Sequence, residues 1–160
     1  TSAQEMHDAV HARVGSAAIF IGIAAVADYR PASVAERKIK KSAERLSIEL
    51  VRNPDILASV AALKPAPFTV GFAAETEHLE AAARGKLEAK GVDLIAANLV
   101  GGSEGGFGVD ENRLLLVDRD GITELPLAPK SQLARTLIQY IAEKFHVKNR
   151  TQNPRHAHRH

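Results

Sequence analysis

Three stretches of this sequence are apolar on both faces: "AAIFIGIAAV", "PFTVGFAA" and "VDLIAANLV". A strand with one wet face alternates apolar and polar residues, so continuous apolar runs of strand length need cover from both sides of a sheet. Segments of helical periodicity lie before and between them. "AQEMHDAVHARV" spaces Met6, Ala9 and Val10 as one helix face and is ended by Gly15, and "ETEHLEAAARGKLEAKG" is an amphipathic helix closed by Gly91. Such alternation predicts an α/β fold, a three-layer Rossmann-like sheet that is mostly parallel. "LSIELV" reads as a further short strand of it, and "NPDILASVAAL" as the following helix, with Asn53 at the N-cap and Pro54 at the first helical position.

The pattern changes after Val100. Five glycines between Gly101 and Gly108 mark a loop, and "RLLLVDRDGITELPL" is two strands around Asp120-Gly121, a C-terminal β-hairpin. "SQLARTLIQYIAEKF" closes the fold as a helix with Leu133, Leu137, Ile138 and Ile141 on one face.

With 160 residues, 45% of them hydrophobic, the chain suits one domain with a real core. It has no cysteine, which excludes disulfides, thiolate metal sites and a Cys nucleophile, and fits a reducing compartment. No apolar run approaches a membrane span and Thr1 does not begin a signal peptide, so a cytoplasmic protein is expected. The formal net charge of +2 belongs to residues 146–160, which hold Lys148, Arg150, Arg155 and Arg159 and no acid; removing them takes the charge to −2. That basic tail, with His156, His158 and His160, reads as disordered and as a site of adventitious metal binding, and the rest carries no nucleic-acid footprint.

Open parallel sheets bind ligands beyond the carboxyl ends of their strands, here just after Ala25, Val51, Phe72 and Asn98. Those positions are followed by Asp28 and the run Arg37, Lys38, Lys40 and Lys41; by Asn53 at a helix start; and by Glu75, leading to Lys86 and Lys90 one turn apart on one helix. Lysines, a helix N-terminus and an acid able to hold a metal or a ribose hydroxyl suit a polyphosphate, and a nucleotide is the natural ligand. Each element also has a plainer role: the lysines as a solvated face, Asn53 as a cap only, the cation run as surface charge. His7 and His11, one turn apart, fit an exposed helix face better than a metal site.

"AAVADYRP", "KIKK", "NPDIL", "VGFAAET" and "DLIAAN", in this order, closely resemble phosphopantothenate–cysteine ligase, the C-terminal portion of the bacterial bifunctional flavoprotein of coenzyme A biosynthesis. The resemblance covers residues 1–145, as part of a single CTP-binding ligase domain. It implies ligation of 4′-phosphopantothenate to L-cysteine with CTP and Mg²⁺, through an acyl-cytidylate, with release of pyrophosphate and CMP. It places Ala24, Ala25, Asp28, Asn53, Pro54, Asp55, Ile56, Phe72, Lys86 and Lys90 at the nucleotide. It makes Lys38 the essential lysine of a mobile flap, a reason for so much charge after an apolar strand. Asp28 is then the candidate ligand of magnesium, and FMN belongs only to a decarboxylase domain that this chain does not contain.

The family also has an earlier strand, a glycine-rich phosphate loop and an asparagine for the cysteine step, none of which is present here. The first βα unit is therefore expected to be missing, and to be supplied by a separate segment if the chain is to turn over. The resemblance further implies a homodimer, formed through the glycine loop and hairpin; a hairpin that simply extends its own sheet is the alternative. A dinucleotide-binding oxidoreductase is disfavoured because "GGSEGGFG" precedes a strand, not a helix. A non-catalytic nucleotide-binding fragment is the serious competing class.

Overall fold

In the computed structural model, which describes residues 2–35, 37–39, 44–100 and 110–152, the chain runs α1 (Ala3–Val14), β1 (Ile19–Gly22), β2 (Tyr29–Pro31), β3 (Leu50–Arg52) and α2 (Ile56–Ala61), then β4 (Phe68–Glu75), α3 (Leu79–Lys90), β5 (Leu94–Leu99), β6 (Glu111–Asp118), β7 (Ile122–Pro129) and α4 (Lys130–Gln152). Five strands form the main sheet in the order β1-β4-β5-β6-β7. The first two pairings are parallel, with Ile19 beside Phe68 and Val70 beside Leu94, and the last two are antiparallel. Carboxyl ends of the three parallel strands thus share one edge, as the apolar runs require.

Both faces of this sheet are covered. Phe68, Val70, Leu94, Ala96, Leu114 and Leu116 meet Leu133, Leu137 and Ile141 of α4 on one side. Across the sheet, Ala73, Ile95, Ala97 and Val117 meet Ala83 and Leu87 of α3, with Leu57 and Ala61 of α2 packed against them. Full burial of each large aliphatic side chain contributes roughly 1.5–3 kcal/mol, so these two clusters carry most of the stability. Close approach of α2 explains one glycine: a Cβ on Gly71 would lie 2.6 Å from Leu57 Cδ2 and 2.9 Å from Ile95 Cδ1.

The amino edge is held by charge. Asp93 accepts hydrogen bonds from Thr69 N (2.8 Å) and Thr69 Oγ1 (3.2 Å), while Lys148 Nζ donates to its other oxygen at 2.6 Å. Asp118 Oδ1 accepts from Asp120 N and Gly121 N inside the hairpin turn, and its Oδ2 receives Tyr140 Oη at 2.8 Å and Lys144 Nζ at 2.7 Å. Lys144 Nζ also meets Asp120 Oδ2 at 2.7 Å, so one helix fastens the hairpin and the β4–β5 pair together.

Two expectations change, and one alternative is selected. "LSIELV" is not a strand of the main sheet: β3 pairs antiparallel with β2 in a separate two-stranded ribbon, Tyr29 opposite Arg52 and Pro31 opposite Leu50. Its apolar side chains stay largely uncovered among the described residues, with Leu46, Ile48 and Leu50 exposed. The hairpin extends its own sheet, the alternative given above, because β6 pairs with β5. The closing helix continues beyond Phe145 to Gln152, and so through the first part of the tail expected to be disordered; residues 153–160 lie outside the described residues, as do Lys40, Lys41 and the glycine loop Gly101 to Gly108.

Candidate functional site

Beyond Gly22 the chain leaves the sheet and passes along its carboxyl edge through Ala24, Ala25 and Asp28, all exposed. This segment is clasped to the turn between β3 and α2 by Asn53. The Asn53 backbone N–H donates to Asp28 O at 2.8 Å and its side-chain Nδ2 to Ala27 O at 2.8 Å, while its Oδ1 accepts from Arg30 Nη1 at 3.2 Å. Arg30 Nη1 also reaches Arg52 O at 2.8 Å. The two loops expected to line the nucleotide are therefore one hydrogen-bonded unit in the free protein.

Asn53 is consequently not the helix cap. Asp55 caps α2, its Oδ1 accepting from Ala58 N at 3.0 Å, and Pro54 precedes the helix. The physical reason is competition for one side chain: an Asn53 amide turned toward Ala27 and Arg30 cannot also serve the helix start, and Asp55 can. The start of α2 is thus satisfied from within. At α3, by contrast, His78 occupies the N-cap in the left-handed region (φ 50°) and makes no side-chain cap.

Each lysine of α3 meets an acid at this edge. Lys90 Nζ lies 2.7 Å from Asp55 Oδ2, joining α3 to the start of α2. Burial raises the Asp55 pKa, but the Lys90 ammonium and the Ala58 N–H outweigh it and hold the carboxyl below its ordinary value. Lys86 Nζ lies 2.5 Å from Glu75 Oε1 at the end of β4. That oxygen is buried and has no aligned hydrogen bond among the described residues, so charge alone answers it. Two cations thus stand at the carboxyl edge with side-chain carboxylates as their partners among the described residues.

The remaining residues are more dispersed. Ile56 is buried in the core and offers a ligand no side-chain surface. Phe72 packs against the cluster on the α4 side of the sheet, so it reaches Lys86 and Lys90 only around the edge. Lys38 is exposed between β2 and β3 and makes no hydrogen bond or ion pair among the described residues. Asp28 is exposed with its carboxylate in no hydrogen bond among them, and no group of three or more His, Cys, Asp or Glu side chains is gathered there. One available carboxylate fits a magnesium ion held mainly by phosphate oxygens and water, and fits no dedicated metal cage. His7 and His11 stack with ring centroids 4.3 Å apart, and His11 Nε2 bonds Ser59 Oγ at 2.8 Å, tying α1 to α2. No described helix is long and apolar enough to cross a membrane.

Sequence reasoning missed Arg30 and the pairing of Asp55 with Lys90. The only local signal for Arg30 is a long donor placed directly after the Asp28 segment. The other pair spans two elements and leaves no periodic trace.

Comparison with known proteins gives a consistent result. The family of DNA/pantothenate metabolism flavoprotein C-terminal domains matches residues 1–145. The chain is 51% identical over 147 residues to the coenzyme A biosynthesis bifunctional protein CoaBC of Vibrio cholerae, covering 90% of this chain and 37% of that protein. It is 50% identical over 153 residues to the protein of the same name from Escherichia coli, covering 93% and 38%. It thus spans little more than a third of the length of these relatives. A crystal structure of the C-terminal domain of a CoaBC protein superposes with a TM-score of 0.69 at 35% identity, covering 89% of this chain and 64% of that one. The DNA/pantothenate metabolism flavoprotein from Streptococcus pneumoniae shares the fold, with a TM-score of 0.70 at 21% identity.

Proposed function

The chain belongs to the family of DNA/pantothenate metabolism flavoprotein C-terminal domains, and from that premise we propose that it acts in coenzyme A biosynthesis as the CTP-dependent ligase of 4′-phosphopantothenate and L-cysteine. In the first step the phosphopantothenate carboxylate attacks the α-phosphorus of CTP; the acyl–cytidylate bond forms and pyrophosphate leaves. In the second, the cysteine amine attacks the acyl carbon, the amide forms, and CMP leaves with the bonding pair while the amine proton passes to solvent.

The observation that carries this reading is the carboxyl edge itself, where the Asn53 clasp and the lysines of α3 converge. Ala24, Ala25, Asn53, Pro54 and Asp55 would line the nucleotide through backbone and short polar groups. Ile56 would act by shaping the start of α2, and Phe72 by an apolar contact at the edge. Lys86 and Lys90 would exchange carboxylates for phosphate oxygens, a move between like partners that costs little for Lys90, whose partner Asp55 is half exposed, and more for Lys86, whose partner Glu75 Oε1 is buried. Magnesium would supply charge neutralisation on the phosphates, with Asp28 as its protein ligand. Lys38, without a partner among the described residues, would close over the reacting carboxylate and α-phosphate. Two anions meet there, and a cation that arrives with them while water leaves stabilises the transition state more than the ground state. The homodimer that the resemblance implies would use the hairpin, whose strand β7 carries the exposed Leu127; Leu127→Lys is then expected to give monomers in sedimentation velocity.

Pyrophosphate release with CTP, phosphopantothenate and cysteine tests the assignment. Lys38→Gln is expected to lower kcat by about a hundredfold or more with nucleotide binding retained. No CTP-dependent release from wild type would sink the ligase reading for this chain alone. A second reading, nucleotide binding without turnover, is favoured by one observation: β1 pairs with β4 on one side, and among the described residues no strand lies on the other. On that reading a separate segment supplies the neighbouring strand, and adding it restores release.

A further inference from the structure

We infer that Arg30 is a positioning residue that sets the Asn53 side chain for the nucleotide, an inference that rests on the nucleotide-site reading above. An asparagine amide has two unlike ends, and here each has a matching partner: Oδ1 faces the Arg30 guanidinium at 3.2 Å and Nδ2 faces the Ala27 carbonyl at 2.8 Å. Turned over, the amide would set its oxygen against a carbonyl oxygen and its NH₂ against a cation. Both contacts would be repulsive, so Arg30 and Ala27 together select one orientation.

Arg30 can do this because its own position is fixed. It lies in β2 with Val51 as its register partner, and the same Nη1 that reaches Asn53 also donates to Arg52 O at 2.8 Å. Both hydrogens of that nitrogen are then used on consecutive residues of the turn. The Asn53 main chain is held separately through Asp28 O at 2.8 Å. Half the hydrogen-bonding capacity of the amide, one N–H and one oxygen lone pair, has no partner among the described residues. Asn53 thus presents a donor and an acceptor side by side, in an order that Arg30 decides. A nucleotide group with both functions, a ribose hydroxyl or a base edge, would read that order. Loss of Arg30 would leave the clasp partly closed through the backbone but free the amide to present either order.

The test uses the whole chain with Mg²⁺ and CTP as the probe, in wild type, Arg30→Ala, Arg30→Lys, Asn53→Ala and the double variant with both alanines. Calorimetric titration is expected to show Arg30→Ala weakening CTP by about tenfold, with Arg30→Lys recovering much of it. The double variant should bind within about twofold of Asn53→Ala, because a residue acting through another adds nothing once that one is gone. If the two losses multiply, Arg30 acts on the ligand directly and the positioning role is overturned. It is equally overturned if Asn53→Ala weakens CTP while Arg30→Ala does not. Side-chain amide resonances of Asn53 in the ligand-free protein give a readout independent of the function. They should be dispersed in wild type and Arg30→Lys and collapse toward free values in Arg30→Ala; no change would overturn the role. A wild type that fails to bind CTP overturns the nucleotide reading, while these resonances still decide whether Arg30 orders Asn53.

Discussion

Helices α3 and α4 each carry two lysines one turn apart, and the two pairs stand at opposite edges of one sheet. Lys144 and Lys148 meet acids whose side chains are 7% and 15% exposed, Asp118 and Asp93. Lys86 and Lys90 meet Glu75 and Asp55, at 22% and 48%. Asp118 and Asp93 are further saturated by backbone N–H groups and hydroxyls, so removing either cation strands a buried, fully committed anion. The partners of α3 have fewer bonds, and Glu75 Oε1 has no aligned one. The same residue type at the same helical spacing therefore does two jobs. Which job it does depends on how completely its counter-ion is buried and bonded, and that depends on the neighbouring element.

The strongest way to break this comparison is Asp118→Ala. It removes the partner of Tyr140 and Lys144 and two turn N–H groups at once, and is expected to cost about 3 kcal/mol in urea unfolding while CTP affinity stays within about twofold. A cost under about 1 kcal/mol would erase the distinction between the edges. Lys148→Met should follow at about 1–2 kcal/mol by the same measurement, since Asp93 keeps its two bonds from Thr69.

Acid titration sharpens the contrast. Burial raises the Asp118 pKa, but Lys144, Tyr140 and the Asp120 N–H together bring it below its ordinary 3.8. A depressed carboxylate stabilises the fold fully above its unfolded value and loses that contribution as pH falls through the lower folded one. Asp118→Asn should therefore flatten the stability profile below about pH 4, with Asp55→Asn flattening it less because its side chain is half exposed. On the alkaline side, burial pulls Lys144 down while Asp118 and Asp120 push it higher, a net rise above the ordinary 10.5. Its contribution is accordingly complete below that value and lost only at higher pH. Smallest in stability is Lys90→Met, because Asp55 is half exposed and keeps its bond from Ala58 N, whereas Lys86→Met leaves the buried Glu75 Oε1 without its cation. Lys90→Met is expected within about 1 kcal/mol of wild type and Lys86→Met at about 1–2 kcal/mol by urea, yet each should weaken CTP by roughly tenfold in calorimetry.

The main sheet was legible because its signals are local. Runs such as Phe68 to Ala74 declare a strand buried on both faces, Asp120-Gly121 declares the hairpin, and Leu133, Leu137 and Ile141 declare the inner face of α4. The ribbon was not, because Tyr29–Pro31 is short, ends in proline and buries nothing, while Leu50 carries the apolar character of a core strand without a core. The placement of Lys86 and Lys90 one turn apart on α3 was readable from helical spacing. The cap was misassigned because Asn53 and Asp55 are both good capping residues two positions apart, and a contact to Ala27 decides between them. Buried Ile56 and cross-sheet Phe72 show the same limit: order along the chain does not say which face a residue takes.

The antiparallel end of the sheet also has a kinetic consequence. From Glu111 to Gln152 many contacts are between neighbours in sequence, besides those that α4 makes to β4 and β5: a tight turn joins β6 to β7, and α4 folds straight back over both. Such contacts close short loops and form early. Pairing of β1 with β4, by contrast, brings Ile19 to Phe68 across the whole ribbon and α2, and so carries the larger closure entropy. The hairpin and its helix are then expected to form the nucleus against which β5 and β4 assemble, with β1 and the clasp that follows it last; substitutions in β6 and β7 should slow refolding, and those in β1 should mainly speed unfolding.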